Sequence, residues 1–145
     1  MGIEARLFVA LLRTADSLSL EAEKLFKEFE LTDAQYNVLR ILRGAEPTGL
    51  ACREIGDRMV SHDPDITRLL DRMEKREMIV RQRQTDDRRV IKTRVTPAGL
   101  RILRKLDQPI RELHKDQFRH MSAKELKLLA ALLESVLNRQ RVSRV

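Results

Sequence analysis

Residues 79–95 read Ile79-Val-Arg-Gln-Arg-Gln-Thr-Asp-Asp-Arg-Arg-Val-Ile-Lys-Thr-Arg-Val95. Two β-branched runs flank a charged tip, Thr85-Asp-Asp-Arg-Arg89, and predict a two-stranded hairpin. The hairpin follows directly on a helical pattern from Asp63 to Met78. A helix that runs into a basic hairpin is the anatomy of a winged helix, which lays one helix in a major groove and a loop near the adjacent minor groove. The hairpin carries six basic groups (Arg81, Arg83, Arg88, Arg89, Lys92, Arg94) against Asp86 and Asp87, a net +4.

Upstream, Leu50 to Met59 patterns as a short helix with Ile55 and Met59 inward. Ser61 to Asp63 connects it to the next helix, which gives the spacing of a helix-turn-helix. That next helix starts near Pro64, with Asp63 as N-cap and Pro64 at the first helical position, where a missing N–H costs nothing. Ile66, Leu69, Leu70 and Met73 form its buried stripe. Further back, Thr32 and Gln35 form a capping box that opens a helix reaching Arg43. Tyr36, Val38, Leu39, Ile41 and Leu42 lie inward on it, Gly44 ends it, and Glu46-Pro-Thr-Gly49 is a turn.

Long amphipathic runs lie outside this unit. Residues 3–30 repeat Ile3, Leu7, Leu11, Ala15, Leu18, Ala22, Leu25 and Phe29 at three- and four-residue steps. Thr96-Pro97 opens a fifth helix with Leu100, Leu103, Leu106, Ile110, Leu113 and Phe118 in its stripe. Ser122 and Glu125 form a second capping box, before a sixth helix carrying Leu126, Leu129, Leu132, Leu133, Val136 and Leu137. The expected fold is mainly α with a small β-wing. Residues 1–31 form an N-terminal dimerisation helix, 32–95 a winged helix-turn-helix domain, and 96–145 the C-terminal dimerisation helices. The outer helices present more apolar surface than the small unit can cover. A second copy of the chain is the simplest cover, with Leu7, Leu11, Leu129 and Leu133 at the interface. The alternative is a three-helix stack within one chain.

Composition narrows the partner. The 145 residues carry a net charge of +7, with pI about 10.1. That balance favours a polyanion, although a basic surface that only solvates the chain satisfies the same count. The charge is uneven: −2 over residues 1–31, +3 over 32–95 and +6 over 96–145. Aromatics are 3%, too few for the stacking platforms of single-strand binders. Cys52 is the only cysteine, so no internal disulfide or cysteine cluster forms, and it reads as a packed thiol. His62, His114 and His120 lack metal-ligand spacing. No nucleophile–base pair, phosphate loop or paired-carboxylate motif appears, so neither catalysis, a metal nor a cofactor is expected. Leu7-Phe-Val-Ala-Leu-Leu12 is too short to span a membrane, and the cytoplasm is the expected location.

On the helix before the hairpin, the buried stripe leaves Pro64, Arg68, Asp71 and Lys75 outward, with Asp65, Thr67 and Arg72 at the edges. Arg68 is the candidate base reader, because a guanidinium can take O6 and N7 of guanine together. Its alternative is a surface ion pair with Asp65 or Asp71. Thr67 suits a thymine methyl or a phosphate. Asp63 and Asp65 suit helix capping, worth roughly 0.3–1 kcal/mol, with acceptance from a cytosine amine as the other reading.

From Leu31 to Gly99 the chain resembles the MarR family of bacterial winged-helix regulators. The matching residues are Leu31-Thr32-x-x-Gln35, Ile66-Thr-Arg-Leu-Leu-Asp-Arg-Met73, Asp87-Arg-Arg89 and Val95-Thr-Pro-Ala-Gly99. The distance from Arg89 to Thr96 selects Asp87 and Arg89 as the motif pair, where otherwise a turn with solvated charges is the competing reading. The resemblance implies an obligate homodimer, a recognition helix at 64–76 and a wing at 84–90. It also implies an arginine at 89 reaching the minor groove, with Arg88 beside it, and an acid at 87 orienting the wing. A small aromatic or phenolic effector is implied between the winged domain and the dimer helices. Two departures stand out. Arg76-Glu77-Met78 lacks the family's glycine, so Glu77 either adopts a left-handed conformation or the helix ends differently. Gly56 stands where alanine is usual, allowing close packing but weakening the helix. Cys52 does not match the cysteine of the family's redox sensors. The function expected is a sequence-specific dimeric repressor of a pseudo-palindromic duplex. A nucleoid-type binder of low specificity and a winged helix used for protein contact are the alternatives.

Overall fold

A computed structural model describes residues 1–143 of the chain. Its elements are α1 (Ile3–Lys27), α2 (Asp33–Gly44), α3 (Cys52–Arg58), α4 (Ile66–Lys75), β1 (Ile79–Arg83), β2 (Ile91–Val95), α5 (Pro97–Gln117) and α6 (Ala123–Val142). Residues 1–110 form one compact unit, and those from Arg111 onward form another. No helix among the described residues is long and apolar enough to cross a membrane.

In the first unit, α2 supplies the centre of the core. Val38, Leu39 and Leu42 are fully buried beside Ile55, Leu70, Met73, Leu103 and Leu106. The first half of α5 therefore shares its core with the winged domain, and Arg43 pairs with Asp107 at 2.9 Å. The Thr32–Gln35 capping box forms as expected. Phe26 stacks on Tyr36 with ring centroids 4.4 Å apart, which fastens the end of α1 to the start of α2. Two buried polar side chains escape a hydrophobic-pattern reading. The Gln35 carboxamide accepts from the Thr32 N–H, and that of Asn37 accepts from the Val60 N–H at 2.7 Å, tying the helix-turn-helix connector to α2.

β1 and β2 pair antiparallel, from Ile79 opposite Val95 to Arg83 opposite Ile91. Leu50 adds a third, one-residue strand. Its N–H donates to the Thr93 carbonyl at 3.0 Å, and the Thr93 N–H returns the bond at 2.7 Å. This corrects the expected span of α3, because Leu50 is a sheet residue and the helix begins at Cys52. Met59 leaves the helix with extended dihedrals and is only half-buried. Gly44 is the last residue of α2, as expected, and Ala45 caps it. At Gly56 a Cβ would meet nothing within 4 Å, so close packing does not explain this glycine.

The chain leaves α4 through a left-handed residue, Glu77, at φ 59°. The Met78 N–H donates to the Met73 carbonyl and the Glu77 N–H to that of Glu74, the two bonds of a Schellman ending. Buried Met73 and Met78 supply its usual apolar contact. The end of α1 repeats the device: Glu30 sits at φ 57°, and Leu31 donates to the Phe26 carbonyl. The Arg76 guanidinium then donates to the Glu30 carbonyl at 2.6 Å, joining the two helix ends. A Cβ in the left-handed region costs about 1 kcal/mol that glycine avoids. Glu77→Gly is therefore expected to stabilise the fold by about that amount, read as a higher denaturation midpoint at unchanged slope.

The outer helices keep apolar surface exposed. On α1, Ile3, Leu7, Phe8 and Leu12 are each more than half exposed, and Leu11 is half-buried. In the second unit, the Ser122–Glu125 capping box starts α6 as expected. No residue of α6 is buried; Leu129 is half-buried, and Leu132, Leu133, Val136 and Leu137 are exposed. Pro109 lies inside α5, where it withholds one intrahelical N–H.

Candidate nucleic-acid interface

The start of α4 departs from expectation. Asp65, not Asp63, caps the helix, and its carboxylate accepts from the Arg68 N–H at 3.2 Å. Asp63 instead accepts from the Asp65 N–H at 2.8 Å. That side chain closes the preceding turn, so Pro64 falls before the helix rather than at its first position. Two aspartates at alternate positions can each cap, and the one that leaves the other to close the turn satisfies both N–H groups.

Pro64, Asp65, Thr67, Arg68, Arg72 and Lys75 are all exposed. Arg68 lies 3.4 Å from Asp65 in an exposed pair, the ion pair weighed against base reading. Such a pair is worth roughly 0–1 kcal/mol, little against a competing acceptor of good geometry. Arg72 forms no ion pair among the described residues.

At the wing tip, the Gln84 N–H donates to the Val90 carbonyl and the Val90 N–H to the Asp87 carbonyl. Asp87 and Arg89 come together as the spacing to Thr96 indicates. The Asp87 carboxylate accepts from the Arg89 backbone N–H at 3.0 Å, from Nε at 3.1 Å and from Nη2 at 3.4 Å. The Arg89 side-chain bonds, and then its backbone N–H, hold the Asp87 carboxyl below its ordinary pKa. The Arg89 side chain remains 91% exposed, and Nη1 has no acceptor among the described residues. Arg88 is exposed, and its carbonyl accepts from Arg83 at 2.9 Å.

Not every cation of the hairpin is available. Arg81 bonds to Asp71 and Glu74 on α4, and Arg94 to Glu46 at 2.7 Å. Asp71, expected to face outward, is thus turned to the wing. The bond with Arg81 holds the Glu74 carboxyl below its ordinary pKa, and Glu74 in turn raises that of Arg81. A charge count does not distinguish these clamped arginines from free ones. The signal available in the sequence was the Asp71–Glu74 pair, one turn apart and just upstream of Arg81. Among the described residues, no group of three or more His, Cys, Asp or Glu is placed to hold a metal ion. Cys52 is half-buried at the start of α3.

A family model described as the MarR family matches residues 31–91. Three solved structures share the fold. The crystal structure of a MarR transcription factor from Planctomyces limnophilus is 40% identical, covering 92% of this chain and 97% of that one at a TM-score of 0.70. The PcaV transcriptional regulator from Streptomyces coelicolor, solved in complex with its natural ligand, is 30% identical over 86% of this chain and 89% of that one, at 0.70. A mutant MarR from E. coli complexed with operator DNA is 22% identical over 91% and 94% respectively, at 0.82. The first of these matches runs through nearly both whole chains at 40% identity, and on that ground this chain belongs to the MarR family of winged-helix transcription regulators.

Proposed function

We propose that the chain is a sequence-specific, dimeric repressor that binds a pseudo-palindromic duplex and responds to a small aromatic or phenolic effector. It acts in the bacterial cytoplasm, on the nucleoid, and does no catalysis. Residues 32–95 bind DNA, while 1–31 and 96–145 dimerise through surfaces that include Leu7, Leu11, Leu129 and Leu133. The observation that carries the reading is the exposed row Thr67, Arg68 and Arg72 on α4 together with an Asp87-braced Arg89 at the wing tip. The helix presents donors suited to base edges in a major groove, and the wing a guanidinium suited to a narrow, negative minor groove. Pro64, Asp65 and Arg88 border these contacts.

Two-fold symmetry supports half-sites about one helical turn apart. The relative solved with operator DNA and the one solved with its natural ligand favour the same pair of partners. The effector works by favouring one spacing of the two α4 helices. Competition gel shifts test the reading: selected duplex should compete far better than random duplex, and equal competition would leave only a nucleoid-type binder. Sedimentation at micromolar concentration should give a dimer, and a monomer removes the paired model. Arg68→Ala is expected to weaken the selected duplex roughly tenfold and relax preference at one base pair. A uniform loss across all sequences would instead make Arg68 a phosphate contact.

A further inference from the structure

The DNA-facing reading leaves the best-bonded cation of the hairpin unused. We propose that Arg81 is a positioning residue, which sets the angle of the wing against α4 and hence the aim of Arg89, without touching phosphate. The proposal rests on the reading of α4 and the wing as the DNA surface.

Arg81 makes three bonds to α4. Its N–H donates to Glu74 Oε2 at 3.1 Å, and Nη2 donates to Glu74 Oε1 at 2.9 Å and to Asp71 Oδ1 at 2.5 Å. The two carboxylates lie one turn apart, so the guanidinium fixes both the distance and the rotation of β1 along the helix. On the ladder Arg81 stands opposite Thr93, which is buried and bonded to Leu50. β1 is therefore held from α4 on one side and through β2 on the other. The covalent link from α4 to β1 is short and passes through left-handed Glu77, a natural pivot once the clamp is gone.

Charge points the same way. Two carboxylates outweigh one guanidinium, so the cluster offers a phosphate no net attraction. The side chain is one-quarter exposed, whereas Arg89 at the tip is almost fully so. Both side-chain bonds come from Nη2, whose hydrogens lie in the fixed guanidinium plane, whereas a lysine ammonium is a point charge on a flexible stem and does not hold that direction.

The first test needs no DNA. Spin labels at Lys75→Cys and Asp86→Cys, in a Cys52→Ser background, report the distance between α4 and the wing tip. Arg81→Ala and Arg81→Lys should both broaden that distribution while far-ultraviolet circular dichroism stays unchanged; an unchanged distribution in both overturns the proposal. The second test uses a duplex selected from a random library. Arg81→Ala should weaken binding about tenfold with the salt slope of the affinity intact, because no phosphate contact is lost. Arg89→Ala should then cost much less in the Arg81→Ala background than in the parent. A salt slope shallower by about one, or independent losses from the two substitutions, overturns it. If the parent chain binds no duplex, the DNA reading fails, and the label distances still decide the role of Arg81.

Discussion

Arg89→Ala is expected to lower affinity for the selected duplex by roughly ten- to a hundredfold, about 1–3 kcal/mol. The effect is large because the side chain is both free and aimed. It is 91% exposed, so its fold contribution is small and its removal leaves the wing standing. Asp87 grips Nε and one edge of Nη2, which removes much of the rotamer freedom that a long side chain would lose on binding. A narrow minor groove concentrates negative potential where such a guanidinium enters. Asp87→Ala should give a smaller loss, because the charge survives and only its direction is released. Fluorescence anisotropy of a labelled duplex, read with the variants' thermal melts, separates contact from fold. An Arg89→Ala variant of unchanged affinity would refute the wing assignment.

Gly49→Ala is expected to destabilise the fold by about 2–5 kcal/mol, from backbone strain and overpacking together. Gly49 sits at φ 76°, and a Cβ there would stand 2.6 Å from the Thr93 carbonyl oxygen. That oxygen accepts from the Leu50 N–H, and its residue is held in register opposite Arg81. Relief therefore requires parting the one-residue strand from the wing, which also disturbs buried Thr93. The measurement is the urea midpoint, with a fall at constant slope marking a loss of stability alone. A neutral result would mean that the Leu50–Thr93 bridge contributes little to the stability of the unit.

The elements that could be read from the chain are those set by near neighbours. The hairpin follows from two β-branched runs about a charged tip, and both capping boxes follow from residues three apart. Glu77 stood out because the resembled family carries glycine there, and of the two endings left open the chain takes the left-handed one. What escaped depends on distant partners. Leu50 looks helical until Thr93 arrives to pair with it. Asp63 and Asp65 each satisfy the local rule for a cap, and the turn between them decides. Arg81 and Arg94 resemble Arg88 in a charge count, yet Asp71, Glu74 and Glu46 draw them inward. Asn37 is buried because the backbone N–H of Val60 requires an acceptor, a demand that no periodicity displays. The roles given to Thr67, Arg68 and Arg72 rest on exposure and chemistry, which restrict the choice of reader without naming the base.

Two helices end on glutamates where glycine would lie lower in energy. Selection removes only those sequences that fall below the stability a function requires. Residues like Glu30 and Glu77 persist when the rest of the fold holds a surplus over that threshold. Placing glycine at both ends would add about 2 kcal/mol to the surplus. Such a background should tolerate changes on α4 and the wing that the parent chain would not survive, which makes it the better starting point for altering the sequence the protein reads.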